Sequence, residues 1–186
     1  TDFSFSKSEL DDLAIAFNGV VNSETNETKY WQSVSSFYQT SSFGNVTLTS
    51  TIASPFETGL SAADFMKQSA AHSLRSTDVL RDAVMNYKTE TSGDCKDFDS
   101  DGNGFIDAVY LIYACPDYKS YDYTDLSDQQ KEKYWAYTSW DNRASSDKDS
   151  PVGNAYTWAS LNFIYKGVAQ GQGVDAHTFI HETGHL

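Results

Sequence analysis

The chain has 186 residues and a formal net charge of −13, from 26 acidic and 13 basic side chains. That field repels nucleic-acid phosphates and anionic lipid and attracts cations, so no nucleic-acid partner is expected and carboxylate metal sites are worth seeking. Apolar residues make up 39%, with 4 Trp, 12 Tyr and 11 Phe, enough for one folded α/β domain with a sizeable core; no run of about 18 apolar residues predicts a membrane span.

In chain order, Ser6 or Ser8 is placed to cap a helix over Lys7 to about Asn18, with Leu10, Leu13, Ala14 and Phe17 on one face and Gly19 beyond. A second helix is predicted from about Thr28 to Thr40, where Trp31, Val34, Phe37 and Tyr38 recur at helical spacing. Asn45–Ala53 alternates apolar residues with Thr and Ser, the period-two pattern of a half-buried strand. Ser61 caps helical patterning from Ala62 to about Tyr87, with a break expected near Ser73–Thr77.

The apolar run Ala108–Ala114 predicts a central strand buried on both faces. Pro116–Lys133 is polar and Asp/Tyr-rich, and is expected as a long exposed excursion with a short helix from Ser127. Tyr134–Trp140 and Ala155–Tyr165 read as strands, and a glycine-rich turn at Gly167–Gly173 leads into a final helix. Cys95 and Cys115 are one candidate disulfide, conditional on export. Two N-x-S/T triplets begin at Asn26 and Asn45.

Two stretches carry chemistry. From Asp97 to Asp107 acidic or amide side chains stand at every second position, which suits calcium and its six to eight oxygens at about 2.3–2.6 Å. One register of an EF-hand-like loop starts at Asp97, with Asp99, Asp101 and Gly102 following, but finds no acid at its twelfth position. The other starts at Asp99, with Asp101 and Asn103 next, Gly104 at the turn, the Phe105 carbonyl as a ligand and Asp107 closing at the ninth position. The second satisfies more of the requirements and is preferred.

The last residues, FIHETGHL, contain HExxH. On a helix, His181 and His185 project from one face and suit one tetrahedral zinc, while Glu182 is placed to act as general base on a metal-bound water. His177 precedes His181 by one turn. It lies about 12 Å along the axis from His185, too far to share the ion, so it is expected as a packing or supporting residue.

Four segments together resemble the immune inhibitor A family of secreted bacterial metallopeptidases: FNG at Phe17–Gly19, WQSVSSFYQTSSFGNVTLTS at Trp31–Ser50, DFDSDGNGFIDAVYLIYA at Asp97–Ala114, and HETGHL. The resemblance implies a zincin-type α/β fold, a mixed sheet packed with helices, and the active-site helix at the C-terminal end of the chain. It assigns His181 and His185 as zinc ligands and Glu182 as catalytic base of a secreted endopeptidase acting on protein or peptide substrates. In such zincins a further ligand follows the motif, so the third is expected after Leu186 and the first core strand before Thr1. Residues 1–186 are then part of a single catalytic domain within a longer precursor. The alternative is a catalytically inactive, calcium-stabilised binding or adhesion module on a peptidase-like fold.

Overall fold

The computed structural model describes residues 2–19, 32–168 and 173–186. Its helices are α1 (Lys7–Asn18), α2 (Val34–Ser41), α3 (Ala62–Ala70), α4 (Ser76–Thr91), α5 (Asp128–Lys131) and α6 (His177–Thr183). Its strands are β1 (Phe105–Ile106), β2 (Val109–Tyr113), β3 (Tyr137–Trp140), β4 (Val152–Gly153) and β5 (Ala155–Ser160). Short 3-10 helices span Lys96–Phe98 and Leu161–Tyr165. The protein is of mixed α/β class. It divides into two compact units, one built on residues 54–160 with the segment ending at Phe3, the other on 4–53 and 161–185.

In the first unit, β2 pairs in parallel with β5, Leu111 opposite Trp158, and β3 pairs antiparallel with β5, Tyr137 opposite Trp158. β5 is thus the middle strand. The run Ala108–Ala114, expected at the centre, lies at the edge of this sheet, and Leu111 is the one buried residue of β2. The apolar pattern misleads because β5 buries polar side chains that find partners outside it: Thr157 hydrogen-bonds Thr138 of β3 at 3.0 Å, and Ser160 donates to the Cys115 carbonyl at 2.7 Å.

Helices α3 and α4 contribute Phe65, Met66, Val79 and Leu80 to this unit's core. The Phe65 ring stacks on Trp158 at 5.2 Å, worth about 0.5–1.5 kcal/mol beyond its area burial. Ser61 caps α3 through the Asp64 N–H, as expected, and the helical pattern breaks between Ala70 and Ser76. The Pro116–Lys133 excursion is anchored rather than fully exposed. Asp117 is completely buried and accepts from Lys119 N and Ser120 Oγ, Tyr123 donates to the Pro116 carbonyl, and Leu126 joins the core.

In the second unit Ser6 is the α1 cap, within a reciprocal capping box with Glu9. α2 starts at Val34, later than expected, because Ser33 takes an extended conformation and accepts the Ser36 N–H; residues 28–31 of that expected helix and Asn26 lie outside the described residues. The strand expected over Asn45–Ala53 is absent. No neighbouring strand offers it a ladder among the described residues, and side chains hold it instead: Asn18 bonds both the Ser50 N–H and carbonyl, and Ser35 donates to the Leu48 carbonyl. The strand expected through Tyr165 ends at Ser160, where the chain turns into the 3-10 helix.

Cys95 and Cys115, the candidate bridge, are two free, buried thiols. Burial pushes the Cys115 thiol up to about 12, against hydrogen bonds from Tyr134 and Tyr123 that pull it down. A raised folded value favours the folded state fully below the ordinary thiol pKa, and this contribution is lost as pH rises toward 12. The urea midpoint is therefore expected to fall between pH 8 and 10.5. At pH 8, with thiolate the reactive species, alkylation of native Cys115 should be slower than in the unfolded chain by about 10³-fold; equal rates would contradict its burial.

Candidate functional site

Glycines and aspartates shape the acidic loop of the first unit. Gly102 and Gly104 hold φ of +68° and +89°, the left-handed region that glycine enters freely. Asp99 accepts from Asn103 N at 3.0 Å and from Gly104 N at 2.9 Å, so its carboxylate spans the N–H groups four and five residues on. This organises the loop from Asp99, as in the second register. Asp107 closes it, accepting Ser100 N at 3.1 Å while its own N–H donates to the Phe98 carbonyl at 2.7 Å.

Carboxylate oxygens of Asp99, Asp101 and Asp107 lie within 4.8 Å of one another, the first half-buried and the others exposed. Among the described residues this is the one group of three His, Cys, Asp or Glu side chains so gathered. Like charges this close repel, and a divalent cation neutralises them. Asp97 falls in the 3-10 helix and outside the cluster. Asn103 sits beside it, its amide nitrogen donating to Asp101 at 2.9 Å and its oxygen accepting the Phe105 N–H at 2.8 Å. The loop delivers the chain into β1, where Phe105 pairs with Val152.

In the second unit, α6 is two turns long and depends on its surroundings, since a helix this short is marginal alone. Phe179 is fully buried, its ring 5.1 Å from Phe17. Asp175, 5% exposed, accepts the His177 N–H at 2.8 Å and donates its own to the Ile164 carbonyl. The far end tightens into 3-10-like bonds: Gly184 N donates to the His181 carbonyl and His185 N to that of Glu182, each at 3.1 Å. Gly184, expected inside the helix, is its first residue past the end.

His181 and His185 are exposed, and their Nε2 atoms lie 3.2 Å apart. Two neutral imidazoles at that distance share an N–H···N hydrogen bond. The separation also approaches the about 3.3 Å edge of a tetrahedron with Zn–N bonds of about 2.0 Å. Glu182, next in sequence, is 7% exposed. His177 is exposed and belongs to no group of three ligands with the pair among the described residues. Two imidazole nitrogens are one fewer than the three protein ligands that a catalytic zinc takes.

Sequence reasoning did not single out Tyr38, whose hydroxyl donates to the Ile180 carbonyl at 2.8 Å. No local pattern signals a contact between residues 142 apart in sequence. Nor did it find Asp147, whose N–H donates to the Gly104 carbonyl at 3.0 Å and whose carboxylate takes the Asp149 and Ser150 N–H groups. A D-x-D-S turn pattern was the available signal.

The two loop glycines should respond differently to substitution. A Cβ at Gly102 meets nothing within 4 Å, whereas one at Gly104 meets Asp147 N at 2.8 Å. Gly102→Ala is expected to cost about 1–2 kcal/mol for its left-handed backbone alone, and Gly104→Ala measurably more. Urea denaturation of the two variants checks this, and equal losses would contradict the close approach.

Comparison of the chain with protein-family models, with curated proteins and with solved structures finds no match in any of the three.

Proposed function

We propose that residues 1–186 belong to the catalytic domain of a secreted zinc-dependent endopeptidase with a structural calcium site, on a zincin-like fold. The observation that carries this reading is the 3.2 Å approach of the His181 and His185 Nε2 atoms beside Glu182, in a motif that resembles the immune inhibitor A family. The third protein ligand is taken to follow Leu186, as the resemblance implies. Protein or peptide substrates fit this chemistry, and no helix among the described residues is long and apolar enough to cross a membrane.

Zinc, when bound, lowers the pKa of a coordinated water toward neutrality and polarises a carbonyl oxygen. Glu182 would accept a proton from a water whose oxygen attacks the peptide carbonyl carbon, and would return that proton to the departing amine nitrogen as the C–N bond breaks. Asp99, Asp101 and Asp107 would hold calcium, with the Phe105 carbonyl and the Asn103 amide oxygen completing the protein ligands.

A second reading is favoured by the acidic triad being complete where the histidine pair is not: a catalytically inactive, calcium-stabilised binding or adhesion module. Metal analysis separates the two. One tightly bound zinc per full-length chain is expected for the peptidase, and calcium alone for the module. Under either reading calcium raises the melting temperature, by about 2.7 kcal/mol of stabilisation at a hundred times its Kd, and Asp99→Asn removes most of the shift.

For the catalytic assignment, hydrolysis of unfolded casein by the zinc-loaded full-length protein is compared with that by Glu182→Gln. A loss of about 10²-fold or more is expected. Equal activity in the two proteins would sink the role given to Glu182.

A further inference from the structure

Helix α6 must hold two imidazoles at one separation, yet it has seven residues and its second histidine lies past its regular end. The last carbonyls of a helix have no partner within it and need one from outside. For Ile180 that partner is the Tyr38 hydroxyl on α2, at 2.8 Å; the Gly184 N–H reaches the same carbonyl only at 3.3 Å. Ile180 directly precedes His181, so the bond fixes the backbone from which the first imidazole projects.

Gly184 makes this approach available. A Cβ there would stand 3.2 Å from the Tyr38 hydroxyl and 3.2 Å from the His181 carbonyl, tighter than ordinary contact. The backbone at Gly184 is ordinary right-handed helix, φ −67° and ψ −12°, so its conformation does not call for glycine. The crowding does. Burial raises the Tyr38 pKa, which keeps the hydroxyl protonated as a donor.

We infer that Tyr38 is a positioning residue for the His181 and His185 pair, acting through the Ile180 carbonyl and admitted to it by Gly184. The assignment rests on the zinc reading above. Tyr38 takes no part in the proton transfers; it sets the separation and direction of the two imidazoles before the ion arrives.

The test uses the full-length protein. Tyr38→Phe removes the hydroxyl and leaves the ring, and is expected to weaken zinc binding about 10-fold in competition with a chelating dye. It should shift the visible absorption of the Co²⁺-substituted protein and speed amide exchange at Gly184 and His185 in the metal-free protein, with far-UV circular dichroism unchanged. Gly184→Ala should also weaken zinc binding, and by less in the Tyr38→Phe background, because the hydroxyl it crowds is gone. Should Tyr38→Phe not fold, Gly184→Ala carries the same expectation. Unchanged zinc affinity and Co²⁺ spectrum in a folded Tyr38→Phe overturn the assignment alone, whereas a wild-type protein that binds no zinc overturns the zinc reading and this assignment together.

Discussion

A backbone N–H or carbonyl removed from water has to find a partner, and the segments that carry candidate chemistry in both units lie where no helix interior or strand ladder supplies one. Side chains fill the gap. Asp99 takes the N–H groups of Asn103 and Gly104, Asp175 takes that of His177, Tyr38 reaches the Ile180 carbonyl, and Asn18 bonds both polar groups of Ser50. These bonds pin an irregular segment to a helix, close a turn on itself or, for Tyr38, tie α2 to α6. The placement of the carboxylate triad and of the imidazole pair follows from these few bonds more than from the sheet.

In the first unit the same constraint ties the acidic loop to the fold beneath it. The Gly104 carbonyl accepts from both Asp147 and Val152, so the loop is joined to the turn that precedes β4 as well as to β4 itself. The Asp147 carboxylate then organises its own turn through Asp149 and Ser150, and Lys88 on α4 donates to the Ser150 carbonyl and hydroxyl. A run of hydrogen bonds thus connects Asp99, through Gly104, to β4 and to the end of α4. The buried Asp141, paired with Arg81 and Arg143, gives α4 a second attachment.

The features legible in the sequence are those whose cause is local. Ser6, Ser61 and Ser127 announce helix starts because a cap is a contact across three residues, and the break before Ser76 shows as a loss of helical pattern. The loop from Asp99 and the spacing of His181 and His185 are legible for the same reason. What misled was non-local. Asn45–Ala53 has a strand's alternation, but a strand needs a neighbour. Ala108–Ala114 has a central strand's composition, yet β5 takes the middle with Thr157 and Ser160 buried, their hydroxyls satisfied across the sheet or by Cys115. Tyr38 bears on the histidine turn from 142 residues away, and Asp97, in step with the acidic alternation, is drawn off by the 3-10 helix at Lys96–Phe98.

The two candidate metal sites divide by charge, and the division bears on what an ion does at each. The carboxylates of Asp99, Asp101 and Asp107 are gathered with backbone N–H donors beside them, so a cation bound there would lessen their mutual repulsion and its binding energy would return as stability. His181 and His185 as neutral rings carry no repulsion, and one can hydrogen-bond the other in the absence of metal. Their turn is closed by its own backbone bonds, by Asp175 and by Tyr38. A cation bound at the acidic loop would thus act mainly on the fold. At the histidine pair, whose nitrogens already stand 3.2 Å apart, an ion would have less of the chain left to order.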